Sequence, residues 1–77
     1  MSDDELFDII SVFCKVNKKM ISASSSSKTV KSWDSFAMIS IALEIETRLN
    51  IKIKDNDLTK FSSVKDIKSI ILKKDKL

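Results

Sequence analysis

The stretch from Phe36 to Leu49 constrains this chain more than any other. Phe36, Met38, Ile39, Ile41, Ala42, Leu43, Ile45 and Leu49 fill a broad arc at helical periodicity, while Ser40, Glu44, Thr47 and Arg48 gather on the opposite arc. That is one amphipathic helix, and the rest of the chain has to cover its apolar side. Asp34 or Ser35 is the natural N-cap, because a short side-chain oxygen there accepts from the unpaired amides of the first turn. Ser35 thus stands at the positive end of a helix, where the macrodipole and free N–H groups favour an attached phosphate.

Upstream, Ser2-Asp3-Asp4-Glu5 reads as a capping box, with acids placed well for the first turn of a helix. Leu6, Ile9, Ile10, Phe13 and Val16 follow as its buried stripe, with Asp4, Asp8, Ser11 and Lys15 on the wet side. Its end is expected near Asn17-Lys18-Lys19, where lysines suit the negative terminus. Residues 18–34 hold Ser22, Ser24, Ser25, Ser26, Ser27 and Ser32 without periodicity, so they read as a long connection, with the serine cluster as a flexible linker. Met20, Ile21, Val30 and Trp33 are the residues expected to pin it to the core, Trp33 anchoring its exit.

Downstream, Asn50 is a plausible C-cap because asparagine tolerates left-handed geometry. Ile51-Lys52-Ile53-Lys54 alternates at period two, an extended piece with two inward isoleucines, too short and solitary for a sheet. Asp55 is the expected cap of a brief helical turn whose core contacts are Leu58 and Phe61. Ser63-Val64-Lys65-Asp66 starts a last helix with the stripe Val64, Ile67, Ile70 and Ile71, expected to fray over residues 72–77. The predicted fold is all-α, a four-helix bundle of three main helices and one short one, with a long loop between the first and second. Residues 1–77 form one domain on this reading.

Composition narrows the function. At 77 residues the chain buries about 60–65% of the surface its unfolded form exposes, an adequate but thin core. With 43% apolar residues it is too hydrophobic for disorder, and no apolar run is long enough to span a bilayer. The N-terminus does not resemble a signal peptide, so a cytoplasmic location is expected. The lone Cys14 agrees, since it has no partner for an internal disulfide; it is expected at the edge of a helix's buried face. The absence of glycine excludes phosphate-cradling loops and dinucleotide fingerprints. The absence of histidine makes a zinc site hard to build. Residues 1–38 carry five lysines against five acids and residues 39–77 nine bases against six acids, so the net +3 lies in the C-terminal half, where lysine-rich helix ends read as solvated faces.

A serine hydroxyl is a poor nucleophile unless a base takes its proton, and with no histidine the chain lacks the usual one. A Ser–Lys pair needs a buried lysine, and the lysines here lie in solvent-like contexts. Ser35 therefore reads as a residue that is modified, not as one that catalyses.

These residues resemble the acyl carrier proteins and the peptidyl or aminoacyl carrier domains of the same fold. Asp34-Ser35-Phe36 looks like the family's Asp-Ser-Leu, followed by the apolar spacing of the helix behind it. The likeness continues through Leu49, Ile53 and Asp55 to Ser62-Ser63-Val64, which is similar to the paired hydroxyl residues and valine before the family's final helix. It covers roughly residues 3–72. The resemblance implies an acyl-carrier type of bundle in which a phosphopantetheinyl transferase attaches 4′-phosphopantetheine from coenzyme A to Ser35, with Asp34 beside the attachment point. Acyl or aminoacyl groups would ride on the arm's thiol as thioesters, passed on by loading and transfer enzymes. The chain would be a carrier and not an enzyme, and any base or metal for attachment would belong to the transferase.

The family's fatty-acid branch has a strongly acidic exposed side on this helix, whereas the comparable positions here are Ala37, Ser40, Thr47 and Arg48, leaving Glu44 and Glu46 as the helix's acids. A dedicated biosynthetic pathway is therefore favoured over central fatty-acid synthesis, and Trp33, where a small residue is often seen, also looks like the stand-alone carriers. Partner contacts are expected at Phe36, Met38, Ile39 and Glu44, with Ile41 added if it falls at the rim. No nucleic acid, no membrane span and a monomer complete the expectation. The competing classes are a small basic helical module binding protein or nucleic acid, for which a single arginine and few aromatics are poor equipment, and a Ser–Lys hydrolase, which needs a pocket too large for this domain.

Overall fold

The structure, a computed structural model, describes residues 1–75. Its elements are α1 (Asp3–Cys14), a single 3₁₀ turn (Lys18–Met20), α2 (Ser35–Leu49), the short α3 (Asp55–Leu58) and α4 (Val64–Asp75). The fold is all-α, and no strand occurs among the described residues, only an isolated antiparallel bridge between Ser26 and Ser63.

Local chemistry explains most helix starts. The Ser2 hydroxyl accepts the Glu5 N–H (3.2 Å), the Asp34 carboxylate accepts the Ala37 N–H (2.9 Å) and the Ser63 hydroxyl accepts the Asp66 N–H (3.1 Å). Asp34, not Ser35, is thus the cap of α2, and Ser35 is its first helical residue. Asn50 ends α2 in the left-handed conformation (φ 53°) as the sequence predicts. Asp55, by contrast, does not cap α3: Lys54 occupies that position without a side-chain hydrogen bond, and Asp55 is the first helical residue. The end of α1 also differs from expectation. It stops at Cys14 with Lys15 left-handed (φ 58°), and the residues Asn17-Lys18-Lys19 belong to a separate 3₁₀ turn in which the Asn17 side chain accepts the Lys19 N–H (3.0 Å). The Ser32 hydroxyl donates to the Cys14 carbonyl, so the loop takes over one of the free acceptors of α1's last turn.

One contiguous apolar cluster joins Leu6, Ile9, Ile10 and Cys14 of α1 with Ala37, Ile41, Ala42 and Ile45 of α2 and Val64, Ile67, Ile70 and Ile71 of α4, closed by Ile21, Val30, Trp33 and Phe61 from the connections. Phe13 and Val16 are only half-buried, and Ser11, expected in water, is buried with its hydroxyl donating to the Asp8 carbonyl (2.8 Å). A buried hydroxyl that bonds within its own helix does not need solvent. Ile51 and Ile53 are half-buried, and the extended piece they share is tied back to α2, with the Ile53 N–H donating to the Glu46 carboxylate (2.6 Å). The last helix does not fray from Leu72 but runs to Asp75; the rest of that expectation, on Lys76 and Leu77, lies outside the described residues.

The 18–34 connection is where the structure departs most from the sequence reading. Its serines are not a free linker. The Ser27 N–H donates to the Ser62 carbonyl (2.8 Å) and the Val64 N–H donates to the Ser25 carbonyl (3.0 Å), lacing the serine cluster to the turn before α4. Ser25 is buried and its hydroxyl accepts the Ser22 N–H (2.9 Å). Ile21, Val30 and Trp33 pin the connection as expected, but Met20 points away with 69% of its surface exposed.

Candidate functional site

The chain reaches α2 through a series of short backbone turns. The Val30 N–H bonds the Ser26 carbonyl (2.9 Å), the Trp33 N–H bonds the Val30 carbonyl (3.0 Å) and the Asp34 N–H bonds the Ser32 carbonyl (3.1 Å). Trp33 then fixes the end of this run: its indole is buried, and Nε1 donates to the carbonyl of Phe61 (2.9 Å), itself fully buried. The next residue, Asp34, is extended (φ −106°, ψ −173°) and caps the helix, with its carbonyl accepting the Met38 N–H (3.0 Å). Ser35 is thereby placed at the helix entrance on an exposed corner, held from one side by a core anchor and from the other by the first turn of α2.

Around that corner α2 presents an unusual face. Phe36 is 78% exposed, Ile39 47% and Leu43 58%, three large apolar side chains at a spacing that puts them on one helical stripe. Shallow grooves run along both sides. Ser35 lines one of about 190 Å³ with Met38, Ile39, Leu58 and Thr59, and this continues along α2 into another of about 180 Å³ that includes Leu43, Glu46 and Ile53. On the other side, Phe36 and Ser40 face Val12 and Phe13 of α1, and Lys15 just after it, across a groove of about 300 Å³ that Asp34 also lines. Among the described residues, the groove that holds Ser35 is lined by Met38, Ile39, Leu58 and Thr59, and by no lysine.

The structure thus brings Asp34, Ser35, Phe36, Met38 and Ile39 to one place, Met38 half-buried and the others exposed. Ile41 is fully buried and is not at the rim. Ala37, read as part of the exposed side, is buried too, in the one apolar cluster that Ile41 and Ile45 also join. Glu44 lies farther along α2 and is half-buried: its Oε2 accepts from Arg48 Nε at 2.7 Å, and Arg48 Nη1 also reaches Glu5 Oε2 at 3.6 Å. These contacts raise the Arg48 pKa, the hydrogen bond to Glu44 first. Leu43 and Val12, the latter 63% exposed, were missed by sequence reasoning. The spacing of Phe36, Ile39 and Leu43 was the available signal, but all three merged into an apolar arc wider than the core contact.

Behind the site, Cys14 is buried and its thiol is pushed up to about 11, first by burial and then by the negative charge of Asp34. Among the described residues no group of three or more histidine, cysteine or acidic side chains is placed to hold a metal ion, and no helix is long and apolar enough to cross a membrane. In comparisons with known proteins, no family model matches the chain and no curated protein matches its sequence.

Proposed function

We propose that this chain is a carrier of the acyl-carrier type, in which Ser35 bears a 4′-phosphopantetheine arm and the arm's thiol holds acyl or aminoacyl groups for a dedicated biosynthetic pathway. The observation that carries this reading is an exposed serine at the first position of the central helix, placed there by the buried Trp33 and the Asp34 cap. The chemistry follows from that placement. An external transferase would take the proton from Ser35 Oγ, the oxygen would form a new bond to the phosphorus bearing pantetheine, and the pyrophosphate bond of coenzyme A would break to release adenosine bisphosphate. The phosphodiester left behind is anionic and would sit at the positive end of α2, where the dipole favours it. The Asp34 carboxylate beside it already accepts the Ala37 N–H, which spreads part of its charge into the helix.

Incubation with coenzyme A, magnesium and a broad-specificity phosphopantetheinyl transferase tests the proposal by intact mass. One arm is expected on the unaltered chain and none on Ser35→Ala, with the melting curve of that variant unchanged because Ser35 is exposed. No mass gain with any of several transferases, or an arm still attached in Ser35→Ala, overturns it.

A further inference from the structure

We infer that the serine-rich connection between α1 and α2 holds a second binding site, for a small soluble phosphate monoester with a short apolar tail. It is separate from Ser35 and does not depend on the carrier reading. The site is a hollow of about 460 Å³, within the usual size of small-molecule sites, and every residue lining it lies between Val16 and Ser32. Three features of its wall select the ligand. The first is charge. Residues 1–38 are neutral in sum, but their charges are segregated: the acids are Asp3, Asp4, Glu5, Asp8 and Asp34, and between Ile9 and Trp33 stand five lysines and no acid. Lys18 is paired with Asp4 at 2.8 Å, whereas Lys31, which lines the hollow, has no ion-pair partner among the described residues. The second is a surplus of O–H donors. Ser25 is only 6% exposed; its hydroxyl accepts the Ser22 N–H (2.9 Å), while no acceptor among the described residues takes its own proton. The Ser22 and Ser24 hydroxyls stand 3.1 Å apart, and whichever donates to the other leaves one proton of the pair unclaimed. The third is apolar surface: Val16 and Val30 share the wall with Met20, the exposed side chain that the core does not take up.

A phosphate monoester answers all three. It brings close to two negative charges at neutral pH and three acceptor oxygens for the Lys31 ammonium and the spare hydroxyl protons, and its alkyl group meets Val16, Val30 and Met20. The wall is in place before a ligand arrives. The Ser25 carbonyl accepts the Val64 N–H (3.0 Å) and the Ser27 N–H donates to the Ser62 carbonyl (2.8 Å), so binding does not have to order the loop.

Titration of the isotope-labelled chain with n-butyl phosphate, followed by amide chemical shifts at a constant ionic strength of about 0.15 M, provides the test. Saturable shifts are expected at Ser22, Ser25, Lys31 and Ser32 and not at Phe36 or Leu43, with a Kd of about 1 mM. Inorganic phosphate, which lacks the tail, is expected to bind about tenfold more weakly. Pentanoate, which keeps the tail but has one charge and two oxygens, is expected to lose about tenfold as well. Lys31→Met keeps an aliphatic stem at an exposed position and is expected to weaken n-butyl phosphate about tenfold with an unchanged melting curve. Lys65→Met, which removes a lysine lining a different hollow between α1 and α4, leaves the Kd within about twofold. Shifts that do not saturate by about 20 mM, or an equal loss in Lys31→Met and Lys65→Met, overturn the site. Inorganic phosphate or pentanoate binding as tightly as n-butyl phosphate overturns the ligand class. None of these results bears on whether Ser35 accepts an arm, which intact mass decides separately.

Discussion

Replacing Trp33 by phenylalanine probes the contact that holds the site in place. The substitution keeps an aromatic ring at a buried position but removes the indole N–H that donates to the Phe61 carbonyl at 2.9 Å. A buried acceptor left without its donor costs about 1–3 kcal/mol. The smaller ring also leaves a void in a closed part of the core, worth about 1–2 kcal/mol more. The expected loss is therefore about 2–4 kcal/mol, set against a total of roughly 4–12 kcal/mol for a domain of 77 residues. At about 4–8 °C per kcal/mol, the melting temperature falls by roughly 8–32 °C. Urea unfolding followed by far-ultraviolet circular dichroism measures the loss without relying on tryptophan emission. Hydrogen exchange adds a local readout. The amides of Ser27 and Val64, whose bonds lace the serine loop to the turn before α4, are expected to lose protection more than the amides in the middle of α1. A loss below about 0.5 kcal/mol would show that the buried hydrogen bond and the ring volume contribute little, and would refute the claim that Trp33 sets the position of Ser35.

Two further expectations concern the surroundings of Ser35. Asp34→Ala removes the cap of α2 and is expected to cost about 1 kcal/mol in urea unfolding, while Asp34→Asn, which keeps an acceptor, recovers most of it; equal losses in the two variants would show that charge and not the cap bond matters. For Cys14 the raised pKa means that the folded state favours the neutral thiol, so its contribution to stability is fully present below pH 9 and is lost as pH rises through about 11. Stability curves of the unaltered chain and Cys14→Ala are expected to converge over that interval, and parallel curves would contradict the assignment.

The sequence announced the helices where their signals are local. Ser2, Asp34 and Ser63 start helices because a short oxygen next to free amides acts within one turn, and Asn50 ends one because its side chain tolerates left-handed geometry. The end of α1 was illegible for the same reason in reverse. Lys15 carries no signal for a left-handed cap in a chain without glycine, and the partner that helps close the helix, Ser32, is far away in sequence. The serine cluster was misread because repeated serines look like a linker, whereas their backbone is held by Ser62 and Val64, residues no local pattern could connect to them.

The candidate site divides along the same line. Ser35 at the head of an amphipathic helix was readable from the residues around it, since cap, period and hydroxyl lie within one short stretch. The division of α2 into faces was not. Phe36 and Ala37 are adjacent and both apolar, yet one is exposed and the other buried, and Ile39 and Ile41 part in the same way. Periodicity sets how wide an apolar arc is, but only the docking of α1, α4 and the Trp33 anchor determines which part of the arc they cover. Side chains beyond the reach of those neighbours stay in water beside the serine, because burial is a property of the whole packed chain and a cap is a property of a single turn.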